Sequence, residues 1–270
     1  MVSLYIKSIF VYQNDIIMGI NKPYHRNYRA FIESDNSGFS SWAYICDHEY
    51  AISPEYYTRS FLIIQKDIQN LFEYIEPSDI NLKTYSYRIH ELYMRVCIEV
   101  EANFKAIFKE NIYSKDEKKW NINDYKKINK THHLDAYKAI FPIWDGVHNE
   151  FSPFKVWETN GILSWYRDYN LCKHDRHTQK YLANLENLLN AFTALFILLT
   201  SQFNRESFSP GTTLISCRTG AEYYPDEFGI GDYLIVKFPE NWGDNEKYDF
   251  NWSTLQNEQN KFQKIDYNIL

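Results

Sequence analysis

The sequence predicts a mainly helical fold, an antiparallel helical bundle with small β elements at both termini. Long central stretches repeat apolar residues at helical spacing. The two ends instead contain short β-branched and aromatic runs separated by Asn, Asp, Ser and Gly. We therefore expect an extended, β-like region over residues 1–53, a helical domain over 54–207, and a β-like extension with a polar tail over 208–270.

The first region contains the runs SLYIKSIFVY, YRAFIES and WAYICD, which favour strands. Its start has neither a basic leader nor a small-residue cleavage site, so we expect no signal peptide. The longest apolar stretch, around Ala191–Leu199, is too short to span a bilayer. The four cysteines form no CxxC pair, and a reduced cytoplasmic location is the expectation.

Two long helices are predicted between residues 54 and 110. The first has apolar residues at helical spacing and a proline just past them: Phe61, Ile64, Ile68, Leu71, Phe72, Ile75 and Pro77. The second covers roughly 84–110, with the stripe Leu92, Val96, Val100, Phe104, Ile107 and Phe108. A lysine-rich loop then leads into a weaker helix near 123–140.

The second half of the predicted domain contains an aromatic connection and a core helix. The stretch FPIWDGVHNEFSPFKVWETNGILSWY has too many rings for a flexible linker, so we expect it to be ordered and packed. The core helix has the stripe Leu182, Leu185, Leu189, Phe192, Phe196 and Leu199. Beyond residue 208, LISCRTG and DYLIVKFP favour strands.

The charge balance limits how the chain can bind nucleic acid. The 29 Lys and Arg residues are outnumbered by 35 Asp and Glu residues, for a net charge of −6. A protein that coats nucleic acid without sequence preference is normally basic overall. Any contact with RNA must therefore use a local basic site.

The segment WYRDYNLCKHDRH, residues 165–177, provides such a site. In a helix, Arg167 and His174 are seven residues apart and share one face, with Asn170 between them. Trp165, Tyr169 and Cys172 then point the other way, toward a core. The outward face combines a guanidinium, an amide and an imidazole.

These side chains suit phosphoryl transfer. Arginine is a permanently charged fork that binds phosphate oxygens at two points. An imidazole titrates near neutral pH and can accept or donate a proton. The local positive charge comes from Lys173, Arg176, His177 and Lys180.

The same segment resembles the HEPN superfamily of helical-bundle proteins. Their motif is an Arg followed by a polar residue and, several positions later, a His. Arg167, Asp168 and His174 match it, with six residues between the Arg and the His. The string YRDYNLCKHDR, the following LANLENLLNAFTALFILL and the preceding CIEVEANFKAI are also similar to bacterial HEPN-type proteins. The resemblance covers roughly residues 55–205.

The resemblance implies a metal-independent endoribonuclease, a toxin or antiviral-defence effector that uses no cofactor. Arg167 and His174 would be catalytic, with His174 handling a proton and Arg167 stabilising charge on the phosphate. The implied partners are RNA or a nucleotide, a second copy of the chain in a homodimer, and an antitoxin or defence-system protein, with no membrane. The residues expected to contact RNA are Asp168, Asn170, Lys173, Arg176 and His177.

Other interpretations remain open at this point. The same resemblance also fits a non-catalytic HEPN-like module that binds a nucleotide, RNA or a protein partner. In an unrelated helical scaffold, Arg167 would be buried in a salt bridge to Glu99 or Asp168. His174 and His177 have a spacing that suits metal ligands, although no further ligand has metal spacing. Cys172 beside Lys173 is either a reactive thiol or a core cysteine, and its apolar face favours the core.

Overall fold

The structure, a computed structural model, describes residues 19–34, 41–208 and 227–270. Those residues form a mainly helical protein, as predicted. The α-helices of the described part are α1 (Pro54–Phe72), α2 (Tyr87–Glu110), α3 (Ile122–Tyr125), α4 (Asn129–His132), α5 (Ser164–His174), α6 (Arg176–Gln179), α7 (Leu185–Phe203) and α8 (Trp252–Leu255). Short 3-10 helices lie at Ser41–Cys46, Asp79–Asn81, Glu117–Lys119, Lys126–Ile128, Leu134–Ala136, Lys155–Thr159, Lys180–Leu182 and Asp244–Glu246.

The long helices begin where the sequence supplies a start signal. α1 begins at Pro54, a position at which the backbone N–H that proline lacks would have no partner within the helix. The side chain of Ser86 accepts a hydrogen bond from the Ile89 amide at the start of α2, and Asn184 caps α7 through the Asn187 amide. Every residue of α7 from 191 to 203 is buried, which confirms the predicted core helix.

The four long helices alternate in direction along the chain. Arg95 of α2 pairs with Asp67 near the end of α1, so α1 and α2 run in opposite directions. The hydroxyl of Tyr166 in α5 donates to Glu101, midway along α2. The two central helices, α2 and α7, run the same way, because Gln202 near the end of α7 donates from Nε2 to Asn103 Oδ1 in the second half of α2 at 3.2 Å. Leu185 N bonds the carbonyl of Thr84 at 2.8 Å at one end of this pair.

A small antiparallel sheet covers one side of the bundle. Its strands are β1 (Lys138–Ile140), β2 (Glu150–Phe151), β3 (Glu227–Phe228) and β4 (Ile235–Lys237), in the order β2-β1-β4-β3. Ala139 at the centre lies opposite both Phe151 and Val236. β4 confirms the strand expected in DYLIVKFP, whereas LISCRTG lies outside the described residues. β1 lies at the end of the helix expected near 123–140, and β2 lies in the aromatic connection that follows it.

Two local predictions were wrong. WAYICD forms the 3-10 helix Ser41–Cys46 rather than a strand, because this conformation buries both Tyr44 and Ile45. The helix expected near 123–140 is broken into short turns and ends in β1. The backbone of His133 has φ 50°, a left-handed conformation that stops the helix. YRAFIES forms only an isolated bridge at Phe31, and SLYIKSIFVY lies outside the described residues.

The N-terminal segment is joined to the bundle through a buried arginine. The guanidinium of Arg26 donates to Glu110 Oε1 at 2.5 Å, to Gln202 Oε1 at 3.0 Å and to the carbonyl of Ile52 at 2.7 Å. Arg26 and Gln202 are fully buried and Glu110 nearly so. The segment around Arg26 is therefore tied to the ends of both α2 and α7.

The aromatic connection before α5 is packed through several of its rings, whereas residues 145–150 within it are exposed. Phe141, Phe154, Trp157 and Leu163 are all buried in the main core. Phe154 and Trp157 pack with their ring centroids 4.9 Å apart. This packing places the connection beside α5. Within the three described ranges, no helix combines the length and hydropathy that crossing a membrane requires.

Candidate functional site

The segment that contains Arg167 and His174 is an amphipathic helix. Trp165, Tyr169 and Cys172 of α5 are buried, which confirms the core face predicted for them. Tyr93 of α2 donates a hydrogen bond from its hydroxyl to the carbonyl of Trp165. The opposite face of the helix is left to solvent.

α5 ends at His174, and the chain then changes direction. Asp175 has φ −137° and ψ 70°, outside the helical region, and its carboxylate accepts a hydrogen bond from the Thr178 amide at 3.3 Å. Asp175 thereby caps α6. Arg176 and His177 belong to this second helix and not to the face of α5.

A cavity of about 450 Å³ opens beside the exposed face of α5, and Arg167, Asn170 and His174 all line it. The side chains predicted to share one face therefore meet at one concave surface. The opposite wall comes from α3 with the 3-10 turn after it, and from the loop that precedes α5. These segments contribute the polar residues Asn123, Lys126 and Asn160.

Arg167 is exposed and is oriented by its neighbour Asp168. Its Nε and Nη2 both donate to Asp168 Oδ1, at 2.9 Å and 2.8 Å. The salt bridge to Asp168 considered in the sequence is therefore present, although the Arg167 side chain is 59% exposed and not buried. Nη1 forms no hydrogen bond with any described residue and lies free to bind an anion.

Asp168 is buried and joins α5 to α7. While Oδ1 accepts from Arg167, Oδ2 accepts a hydrogen bond from Asn187 Nδ2 at 3.1 Å. Asp168 does not line the cavity. It is placed to hold the guanidinium of Arg167 and has no open surface through which to contact RNA itself.

His174 and Asn170 present unpaired polar atoms to the cavity. Neither imidazole nitrogen of His174 forms a hydrogen bond with a described residue, and the ring is exposed. Asn170 donates from Nδ2 to the carbonyl of Tyr166 at 3.0 Å, which leaves Oδ1 available as an acceptor. Both side chains can meet a ligand without breaking a contact that holds the fold.

The other predicted basic residues lie away from this cavity. Lys173 extends over the ring of Tyr169, with its Nζ 5.3 Å from the ring centroid. Arg176 and His177 are exposed on α6. Burial, and then the positive charge of Arg176, lower the pKa of His90 in α2, so Arg176 lies on the α2 side of the bundle. Lys173, Arg176 and His177 are therefore not among the residues that line the cavity with Arg167 and His174.

Sequence reasoning missed part of the site. Asn123, Trp157 and Asn160 have no pattern that marks them, because tertiary packing alone brings them to α5. Lys126 belongs to a run of lysines between residues 115 and 130. Within that run, Lys115 pairs with Asp124 and Lys127 donates to carbonyls at the C-terminus, whereas Lys126 lines the cavity.

Two other interpretations can be compared with the geometry. Burial raises the pKa of the Cys172 thiol to about 11, so this residue is a core cysteine and not a reactive thiol. In the described part of the chain, His174 and His177 belong to no group of three potential metal ligands. The one such group there is Asp47, His48 and Glu49, on the far N-terminal segment.

No family model, no curated protein and no solved structure matches the chain. The resemblance to HEPN proteins therefore stays a prediction from the residues of this sequence.

Proposed function

We propose that this chain is a metal-independent endoribonuclease of HEPN type that acts as a toxin or antiviral-defence effector. One observation supports this most. Arg167, Asn170 and His174 line a single cavity, and each offers it a polar atom with no partner among the described residues. A permanent cation beside a titratable imidazole is the minimum set for cleaving RNA without a metal.

The mechanism uses the substrate's own 2′-hydroxyl as the nucleophile. The 2′-oxygen attacks the adjacent phosphorus and the bond to the 5′-oxygen breaks. The products are a 2′,3′-cyclic phosphate and a 5′-hydroxyl. His174 takes the 2′-hydroxyl proton or gives a proton to the leaving oxygen, and Arg167 stabilises the charge that grows on the phosphate. Asn170 and the nearby Lys173 orient the RNA.

A second copy of the chain completes this chemistry. One α5 has one imidazole at the cavity, whereas paired acid and base steps need two proton-transfer groups. A two-fold dimer that brings the Arg167–His174 faces together supplies the second set. Light scattering should show a dimer well above cellular concentrations. A strict monomer there is evidence against this assembly.

The test of the activity is incubation of purified protein with mixed RNA. We expect cleavage that persists in EDTA, leaves a 2′,3′-cyclic phosphate, spares DNA of the same sequence and weakens as salt screens the phosphate contacts. Mass spectrometry of the cut ends identifies the product. A 3′-hydroxyl with a 5′-phosphate, or a requirement for added metal, contradicts the roles given to Arg167 and His174.

The second candidate is a non-catalytic HEPN-like module that binds a nucleotide, RNA or a protein partner through the same cavity. Asp168 favours it, because this carboxylate already occupies two of the Arg167 donor groups. Binding of RNA without cleavage, in the dimer as well as in the monomer, selects this candidate.

A further inference from the structure

We propose that the cavity beside α5 is a single-nucleotide pocket, in which one unstacked RNA base lies between α5 and the α3 segment while its phosphate meets Arg167 and His174. The proposal rests on the proposed function and adds the way in which the substrate is held. It implies that the chain selects single-stranded RNA and places the scissile phosphate by first binding a base.

The walls of the cavity have the character that a flat apolar ring needs. Trp157 and Leu163 line the cavity and are buried. Ile162 and Leu171 lie at its rim, where Ile162 is 77% exposed. Unstacked bases in protein–RNA complexes bind against apolar and aromatic side chains of this kind.

Three amide side chains surround this apolar surface. Asn123 and Asn160 form no side-chain hydrogen bond with a described residue, and Asn170 has a free Oδ1. An amide offers a donor and an acceptor side by side, which matches the paired groups on the edge of a base. An apolar ligand without such an edge gains nothing from these three groups.

The charge around the cavity suits a phosphate attached to that base. Lys126, Arg167 and His174 line it, and Lys126 forms no ion pair with a described residue. The one carboxylate in the lining, Asp175, is already bonded to Thr178. The cavity therefore combines apolar, amide and cationic side chains, the three kinds of group that contact the base and the phosphate of a nucleotide.

The volume selects one nucleotide over a larger occupant. About 450 Å³ lies within the range of roughly 300–1,000 Å³ that is usual for small-molecule sites. A protein helix or a duplex would cover the rim without entering. A nucleotide extruded from a single strand fits the space and leaves the neighbouring phosphates for Lys173 and Arg176 outside.

Calorimetry with small probes tests this independently of cleavage. The full chain is titrated with the four nucleoside 3′-monophosphates, with the four nucleosides and with inorganic phosphate. We expect at least one monophosphate to bind about tenfold or more tighter than inorganic phosphate, because the base adds its own contacts. Equal affinity of all monophosphates and inorganic phosphate overturns the proposal.

Variants locate the binding. Ile162→Ser and Asn160→Gly should weaken the monophosphate about tenfold and leave inorganic phosphate unchanged. Asn160 has φ 60°, so glycine keeps its backbone. Ile143→Ser is the matched control, since Ile143 is 75% exposed and does not line the cavity. Equal losses in Ile143→Ser and Ile162→Ser overturn the proposal.

The outcome separates this pocket from the proposed activity. Nucleotide binding that depends on Ile162 and Asn160, without RNA cleavage, supports the pocket and contradicts the endoribonuclease. RNA cleavage without any contribution from the base overturns the pocket alone. If Ile162→Ser instead dissociates a dimer and no nucleotide binds, the cavity is a contact between copies and the proposal fails.

Discussion

Asp168 orients the guanidinium of Arg167, the residue directly before it in the chain. A single oxygen of the Asp168 carboxylate accepts hydrogen bonds from both Nε and Nη2 of Arg167. Its second oxygen accepts from Asn187 of α7. The direction of the Arg167 guanidinium is thus set by the central helix and not only by α5. Arg167 remains half-exposed, with Nη1 free for a phosphate.

Asp168→Asn tests whether this link positions Arg167. The neutral amide accepts hydrogen bonds more weakly than a carboxylate, so Arg167 becomes mobile. We expect RNA cleavage to fall about tenfold, with little change in binding. In an Arg167→Ala background the same substitution should have no further effect on cleavage. An equal loss in both backgrounds means that Asp168 acts through the general fold.

His174→Ala separates chemistry from stability. The imidazole is exposed and unbonded to described residues, so the melting temperature should stay within about 2 °C of wild type. RNA cleavage should fall about 100-fold or more with the loss of the proton-transfer group. His48→Ala is the matched control, because His48 is exposed and lies outside the cavity. If His174→Ala unfolds the protein, the residue has a structural role.

The sequence alone was sufficient where local periodicity decides the structure. α1, α2 and α7 were predicted from apolar spacing, and the buried face of α5 followed from the positions of Trp165 and Tyr169. Helical periodicity repeats within a few residues, so it survives in a single sequence. The same periodicity placed Arg167 and His174 on one face.

Prediction failed where a distant segment decides the structure. β1 is a strand because Ala139 pairs with Val236 of β4, which no local pattern reveals. WAYICD is a short apolar run, and such a run suits a strand or a helical turn equally well. Lys126 and Asn160 reach the cavity through the packing of two loops. The sequence therefore predicted Arg167, Asn170 and His174 among the residues that line the cavity, but not those that other segments contribute.

The buried Arg26–Glu110 pair should contribute strongly to folding. Arg26→Met leaves the Glu110 carboxylate buried without its partner, and such a change typically lowers the free energy of unfolding by about 3–5 kcal/mol. The double variant Arg26→Met with Glu110→Gln leaves no unpaired buried charge. Its loss of free energy of unfolding should therefore be clearly smaller than the sum of the losses of the two single variants. Urea unfolding of the two single variants and the double variant measures this. Additive losses contradict the coupling.

Acid should destabilise the protein through His132, which is fully buried among α4, the N-terminal segment and the C-terminal residues. Its Nε2 donates to the carbonyl of Arg26 at 2.8 Å. Its Nδ1 lies 3.1 Å from Asn27 Nδ2, a donor. Thr131 Oγ1 also lies 2.9 Å from Nδ1, so both ring nitrogens of the neutral imidazole have hydrogen-bond partners. Burial, first of all, lowers the pKa of His132 to about 3.

The sign of the pH effect follows from that shift. The unfolded chain binds a proton at His132 below about pH 6.5, whereas the folded protein does not until about pH 3. The contribution of His132 to the free energy of unfolding is thus complete above the pKa of the unfolded chain. It falls as the pH drops from about 6.5 toward about 3. The slope from this residue is at most about 1.4 kcal/mol per pH unit.

His132→Gln removes the titrating imidazole and keeps a side-chain amide that can donate a hydrogen bond to the backbone carbonyl of Arg26. Urea unfolding at several pH values between about 7.5 and 4 should show a smaller pH slope for His132→Gln than for wild type. Carboxylates titrate in both proteins and cancel in the difference. His48→Gln is the matched control, since His48 is exposed, and it should keep the wild-type slope. Parallel curves for wild type and His132→Gln would show that His132 is not buried in its neutral form.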